Sequence, residues 1–253
     1  MYILIQRDED PLSPREDRCT FGTMAMRARS RFTFAEETIY DKEVFLTNKV
    51  EEANPEFISG LDETENDMGD MDFDVACDWE NRRAQALADE FNRLYIHVPI
   101  YVFEHGNVAL SSSPFSCQWD SGQVGMNLVT REKAAEELGS NTYPMDLWGV
   151  VVNSIEEHAV LILRVEIKEV HQYINGEVYG YEVYNDNGEV VDSCWGFYSD
   201  NYGEDWETNG MVEHWSDKAK GAAIYMRRCY GHPDELLRAA DESTLDTHPS
   251  AGD

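Results

Sequence analysis

The stretch "EVYGYEVYNDNGEVVDSCWGFY", residues 177–198, constrains the fold more than any other part of the chain. Two β-rich runs flank Asn187-Gly188, the pair that suits a two-residue type I′ turn because both central positions want positive φ. Such a turn sets Asp186 opposite Glu189, Tyr181 opposite Cys194 and Gly180 opposite Trp195. The Trp195 ring can then lie over the glycine, with Val178, Phe197, Val191 and Tyr184 on its face. Cys194 falls on the other face with Tyr181, Val183, Val190 and Asp192.

Around this hairpin the pattern alternates between strands and helices without a βαβ rhythm. "MYILIQR" reads as a first strand, and "DEDPLSPRED" as turn. Thr33 and Glu36 form a capping-box pattern that predicts a short helix over 33–44. Residues 51–80, broken by Pro55, Gly60 and Gly69, read mostly as a loop or insertion. From Trp79 to Tyr95, Ala84, Leu87, Phe91, Leu94 and Tyr95 recur at helical spacing. "HVPIYVF", "VALSSS" and "VGMNLV" read as strands; Thr130 caps "REKAAEEL", which Gly139 stops. Ser154 with Glu157 caps a helix that keeps its period until Gly176, and a last helix is expected within 208–230. The sum is an α+β chain: one mainly antiparallel sheet with several flanking helices and an acidic insertion at 51–80. Residues 1–238 are expected to form a single domain, with 239–253 a disordered tail.

Charge separates the functional classes. Fifty acidic and 20 basic residues give a formal net charge of -30. Residues 51–80 hold twelve acids and no Lys or Arg, and so do residues 169–217, whereas residues 1–50 carry nine acids against eight bases. An adaptation to high salt would spread acids evenly, which this is not. A disordered acidic run suits 51–80 but not 169–217, which is dense in Tyr, Val, Trp and Phe. Carboxylates fixed on a folded surface repel one another, so a field of this size implies a use. Direct binding to nucleic acid or an anionic membrane is disfavoured, since like charges would meet. There is no run of about 18 apolar residues, and "MYILIQRDED" lacks the basic start of a signal peptide, so a cytoplasmic location is expected.

The cysteines at 19, 77, 117, 194 and 229 include no Cys-x-x-Cys pair, which argues against a disulfide framework or structural zinc. Ser193-Cys194-Trp195-Gly196-Phe197 echoes the nucleophile run of papain-like proteases. It comes late in the chain, however, and no Gln precedes it at the required position, so packing is the simpler meaning. Cys117 lies in the turn-rich "SPFSCQWDSGQVG". A cysteine-dependent enzyme using Cys117 or Cys194, with His105 or His214 as base, is the alternative from a different class. "DMDFD" at 70–74 has alternating Asp, but Val75 and Asn81 replace the Gly and Glu that make a calcium loop work. No cofactor or metal is expected.

"SPRED" with "FGTM" (13–24), "PIYVFEHGNVALSSSPFSCQWDSGQVG" (99–125), "GEVYGYEV" (176–183) and "DSCWGFYS" (192–199) together resemble a family of small proteins encoded by phages and other mobile elements. The departures are His105-Gly106-Asn107, where that family has His-Ser-Gly, and the acidic stretch 51–80. The resemblance carries no catalytic residue over. It implies an anti-defence role, anti-CRISPR or antirestriction, in which carboxylates stand in for DNA phosphates. On that reading the partner is a host nucleic-acid-binding protein or complex and the chain is not an enzyme. The candidate contacts are Asp62, Glu63, Glu65, Asp67, Asp70, Asp72, Asp74, Asp78, Asp192, Asp200, Glu204 and Asp205. A third possibility is an accessory interaction protein of a mobile element, with acids that serve solubility alone.

Overall fold

A computed structural model describes residues 1–16, 20–28, 34–66, 73–117, 119–217, 219–227 and 236–238, with the backbone alone at 62–66, 73–76, 107, 227 and 236–238. In chain order the elements are β1 (Tyr2–Arg7), β2 (Thr23–Arg27), β3 (Glu37–Ile39), α1 (Lys42–Ala53), α2 (Pro55–Asn66), α3 (Phe73–Leu94), β4 (Tyr95–His105), β5 (Asn107–Ser111), β6 (Ser121–Thr130) and α4 (Arg131–Leu138). There follow β7 (Met145–Leu147), β8 (Val150–Val152), α5 (Ile155–Ile174), β9 (Val178–Tyr184), β10 (Val190–Tyr198), β11 (Ala223–Arg227) and β12 (Leu236–Arg238). The chain is α+β with mainly antiparallel sheets. It divides into two units, residues 1–14 with 169–253 and residues 15–168.

In the first unit the strand order is β10-β9-β1-β11-β12, and only β1–β11 is parallel. Alternation decides what each face of β1 does: Ile3 and Ile5 are fully buried and pack with Tyr181, Val183 and Phe197. The segment after β10 completes this core with Trp206, Met211 and Trp215; the two tryptophan rings stack at 5.3 Å. Among the described residues of 208–230 the expected helix is not formed. A single 3-10 turn, Met211–His214, is followed by β11, where Ile224 and Met226 bury alternate positions against the core. Their partner is β1, far away in sequence, so no local pattern announces the strand.

The β9–β10 hairpin pairs Tyr181 with Cys194 and Gly180 with Trp195, as expected, but reaches that register by another route. Asn185 N–H donates to Glu189 O, and Gly188 N–H to Asn185 O, so the loop has three residues and only Gly188 takes positive φ (79°). This is a type I turn with a glycine bulge rather than a type I′ turn. The pairing starts one residue out of step, and a bulge at Val191 restores it. A second irregularity, at Gly196, moves Phe197 to the Cys194 face, where its ring lies 6.2 Å from that of Tyr181. That corrects the expectation that Phe197 shares the face of Trp195.

In the second unit the order is β3-β2-β6-β4-β5, with β2–β3 parallel. β4 alternates Ile96, Val98, Ile100 and Val102 inward on one face. At Pro99 its strand neighbour among the described residues is β6 alone, because pairing with β5 begins at Tyr101, so the missing N–H is tolerated. One face of the sheet packs on α1–α3 through Phe45, Val50, Ile58, Leu87 and Phe91. On the other, Asn127 donates from Nδ2 to Leu163 O (3.1 Å) and Glu166 Oε2 (2.8 Å) of α5. The stretch read as a loop at 51–80 is thus helical over 51–53, 55–66 and from 73 onward. Phe57, Ile58 and Leu61 provide an apolar stripe that its acids obscure. The helix expected over 33–44 begins only at Lys42, capped by Asp41, whose Oδ1 accepts from Val44 N–H (3.0 Å). Thr130 caps α4 and Ser154 Oγ accepts from Glu157 N–H, as expected. The expected tail at 239–253 lies outside the described residues.

Candidate functional site: the carboxylates and the two cysteine passages

Arg15, Gly22 and Met24, which belong to the motifs "SPRED" and "FGTM", are parts of one buried clamp. The Arg15 side chain is 2 % exposed and meets Glu36 at 2.6 Å and Glu166 at 3.4 Å; its Nη2 also donates to Gly22 O. Glu36 accepts from Met24 N–H, and Glu166 from the N–H groups of Phe21 and Gly22. Glu36, expected as a capping residue, is therefore half of an ion pair that holds a turn. A buried charge held between two carboxylates is costly to disrupt but does no chemistry by itself.

Several other bases of the second unit are engaged by acids. Lys49 bridges Glu37 (2.7 Å) and Glu52 (3.0 Å); burial acts against its charge, but the two carboxylates outweigh it and hold its pKa above the ordinary lysine value. Arg83 pairs with Glu43, Arg93 with Glu90 and Arg131 with Glu156. The hydrogen bond from Arg93 pulls Glu90 below the usual carboxylate range, and that from Arg131 does the same to Glu156. Of the sequence candidates, Asp62, Glu63 and Glu65 lie on α2 and Asp74 and Asp78 on α3; Asp78 pairs with Arg82 at 3.1 Å. Asp67, Asp70 and Asp72 lie outside the described residues.

In the first unit Asp186 pairs with the N-terminal amine and Asp217 with Lys220, whereas other carboxylates are held by neutral donors. Glu182 accepts from Gln6 Nε2 (3.1 Å) and Tyr184 Oη (2.7 Å), and Asp200 from Gln172 Nε2 (2.8 Å). Asp205 accepts from Ser199 Oγ and from Asp200 N–H, and Glu204 from Asn201 Nδ2. Asp200, Glu204 and Asp205 thus share one loop, brought together by Ser199, whose Oγ also accepts from Asn201 and Gly203 N–H. Asp192 lies on β10 beside Tyr181. Burial, with Asp192 and Cys194 adding to it, pushes the Tyr181 phenol up to about 12. Donors of this kind fix a carboxylate in place without cancelling its charge.

The two cysteine passages part company. Cys194 packs against the core beside Tyr181 and Phe197. The His214 ring lies edge-on to Phe197 at 5.3 Å, and its backbone carbonyl accepts from Tyr181 Oη (2.8 Å). Cys117 lies in the loop between β5 and β6, with Sγ 3.8 Å from Asp120 Oδ2; the same oxygen is 3.4 Å from His105 Nδ1. The carboxylate thus stands between thiol and imidazole. Among the described residues no hydrogen bond links either cysteine to a histidine ring, so neither has the base contact that a thiolate nucleophile uses. Trp119 beside it is 96 % exposed. Among the described residues no group of three His, Cys, Asp or Glu side chains could hold a metal ion, and no helix is long and apolar enough to cross a membrane.

The sequence reading missed the hairpin β7–β8, whose turn residues Trp148 and Gly149 both have positive φ. The dipeptide Trp-Gly was the available signal, and it is a weak one, since a bulky aromatic is rarely found there. Comparison with protein-family models, with curated proteins and with solved structures finds no match to this chain.

Proposed function

We propose that this chain is a phage or mobile-element inhibitor of a host nucleic-acid-binding defence complex, of the CRISPR or restriction type. It would act in the host cytoplasm by presenting carboxylates where that complex expects DNA phosphates. The observation that carries the reading is how the acids are held. In 169–217, a segment with no Lys or Arg of its own, neutral amides and hydroxyls fix Glu182, Asp200, Glu204 and Asp205. A pre-ordered negative surface suits a groove built for a polyanion and requires no catalytic step.

Magnitude limits how the mimicry can work. At 1.5 Å per residue, α2 and α3 extend over about 50 Å and carry nine acids, about one per 6 Å. Duplex DNA has one charge per roughly 1.7 Å. A single row of helical acids is too sparse, so the acids must act as a patch that includes Glu43, Glu51 and Glu52 of α1. The test is competition: a host protein retained by the chain is purified, and duplex DNA is titrated into the complex. Displacement by DNA supports the reading; a complex indifferent to DNA removes it.

The Cys117–Asp120–His105 grouping favours a second reading, cysteine-dependent chemistry in that loop. Cys117→Ser with Cys194→Ser discriminates the two, since the acidic reading expects full inhibitory activity from the double variant.

A further inference from the structure

We infer that the β7–β8 hairpin is a docking finger for a protein partner that offers an apolar pocket rimmed by lysine or arginine, with Trp148 as its anchor. The pairing of Leu147 with Val150 closes a two-residue turn, with Trp148 at φ 52° and Gly149 at φ 80°. Asp146 Oδ1 accepts from Gly149 N–H (2.9 Å) and fixes that turn. Positive φ at both positions is what a type I′ turn requires, and Asn or Gly is the residue that suits the first of them. Turn chemistry therefore does not select tryptophan here. Nor does core packing: Trp148 is 74 % exposed, Val151 59 % and Val150 47 %, while Val152 is buried at the root of the hairpin. Among the described residues β7 and β8 pair with no other strand. A bulky aromatic held at an unfavourable φ in water, next to two exposed valines, has the composition of an interface anchor, and Trp leads the residues that dominate binding energy.

Charge selects the occupant. Residues 131–157 hold six acids against two bases: Arg131 pairs with Glu156 and Lys133 with Glu137 (3.6 Å), and Glu132, Glu136, Asp146 and Glu157 leave the segment net negative. A second copy would bring the same acids to the contact, where like charges repel. A basic protein surface meets both the apolar tip and its acidic surroundings. For the chemistry of that surface the inference rests on the function proposed above.

The test uses Trp148→Asn, which creates Asn-Gly, the pair the turn prefers, and so removes the ring while keeping the fold. The probe is the host protein that the wild-type chain retains, purified separately, with affinity measured by titration against the full chain. The expected result is a variant at least as heat-stable as the wild type that binds at least about 30-fold more weakly. Binding within about threefold of the wild type overturns the finger. Duplex DNA added to the wild-type complex separates the two claims. If DNA displaces the partner while the variant binds normally, the finger falls and the acidic reading stands. If the variant loses affinity while DNA displaces nothing, the acidic reading falls and the finger stands. Dimerisation lost in Trp148→Asn would make the occupant a second copy, and binding to phosphatidylcholine vesicles lost in it would make the occupant a lipid surface; either result overturns the inference.

Discussion

The hairpin at 145–152 turns through Trp148 and Gly149, both at positive φ, whereas the hairpin at 184–190 turns through Asp186, Asn187 and Gly188, where only the glycine has positive φ. The sequence best suited to a type I′ turn does not form one, and the sequence poorly suited to it takes both positive φ values. At 184–190 the turn is organised by Asn185, whose Oδ1 accepts from Asn187 and Glu189 N–H and whose Nδ2 donates to Glu189. These local bonds favour a wider loop, and the bulge at Val191 absorbs the extra residue. At 145–152 the only described support of the turn is Asp146, and the residue at the strained position is exposed. The hairpin at 184–190 is locally consistent; the one at 145–152 bears a local conflict of the kind that function sustains.

Four substitutions sharpen or break this contrast. The largest effect is expected at Gly180, where an added Cβ would lie 2.5 Å from Trp195 Cδ2 and 2.8 Å from the Cys194 carbonyl oxygen. Gly180→Val should destabilise by about 2–3 kcal/mol in chemical denaturation, through overpacking; a loss under about 0.5 kcal/mol would show that Trp195 does not seat on the glycine. Asn185→Ala should cost about 1–2 kcal/mol, because three hydrogen bonds at the turn disappear. Trp148→Asn has the opposite sign and should stabilise by about 0.5–1 kcal/mol as the φ penalty is relieved. The smallest effect belongs to Asn187→Ala, under about 0.5 kcal/mol, since Asn187 does not adopt positive φ. If Asn187→Ala instead costs more than Asn185→Ala, the type I′ expectation was right and the loop described above is wrong.

What was legible in the sequence follows the range of the interaction that decides it. Thr130 and Ser154 announce their helices because a cap acts within one turn. Leu87 and Phe91 announce α3 because the apolar stripe has a local period. Glu36 misled because its partner, Arg15, is 21 residues away and outcompetes a local cap. β11 misled because its pairing with β1 spans most of the chain. At the candidate site, the base-free runs could be counted from the sequence. That neutral donors hold one set of acids while arginines and lysines hold much of the other required coordinates, since Gln172 and Asp200 are 28 residues apart.

The functional claim turns on whether the carboxylates bind. The direct measurement is the affinity of the purified host partner for the wild-type chain and for a variant carrying Asp62→Asn, Glu63→Gln, Glu65→Gln, Asp74→Asn and Asp78→Asn together with Glu182→Gln, Asp192→Asn, Asp200→Asn and Glu204→Gln, at about 50 and 200 mM salt. An acidic interface predicts that wild-type affinity falls at least about tenfold between the two salts, and that the variant binds more weakly with a flatter salt dependence. Equal affinities for both chains at both salts would contradict it and leave the acids a role in solubility alone.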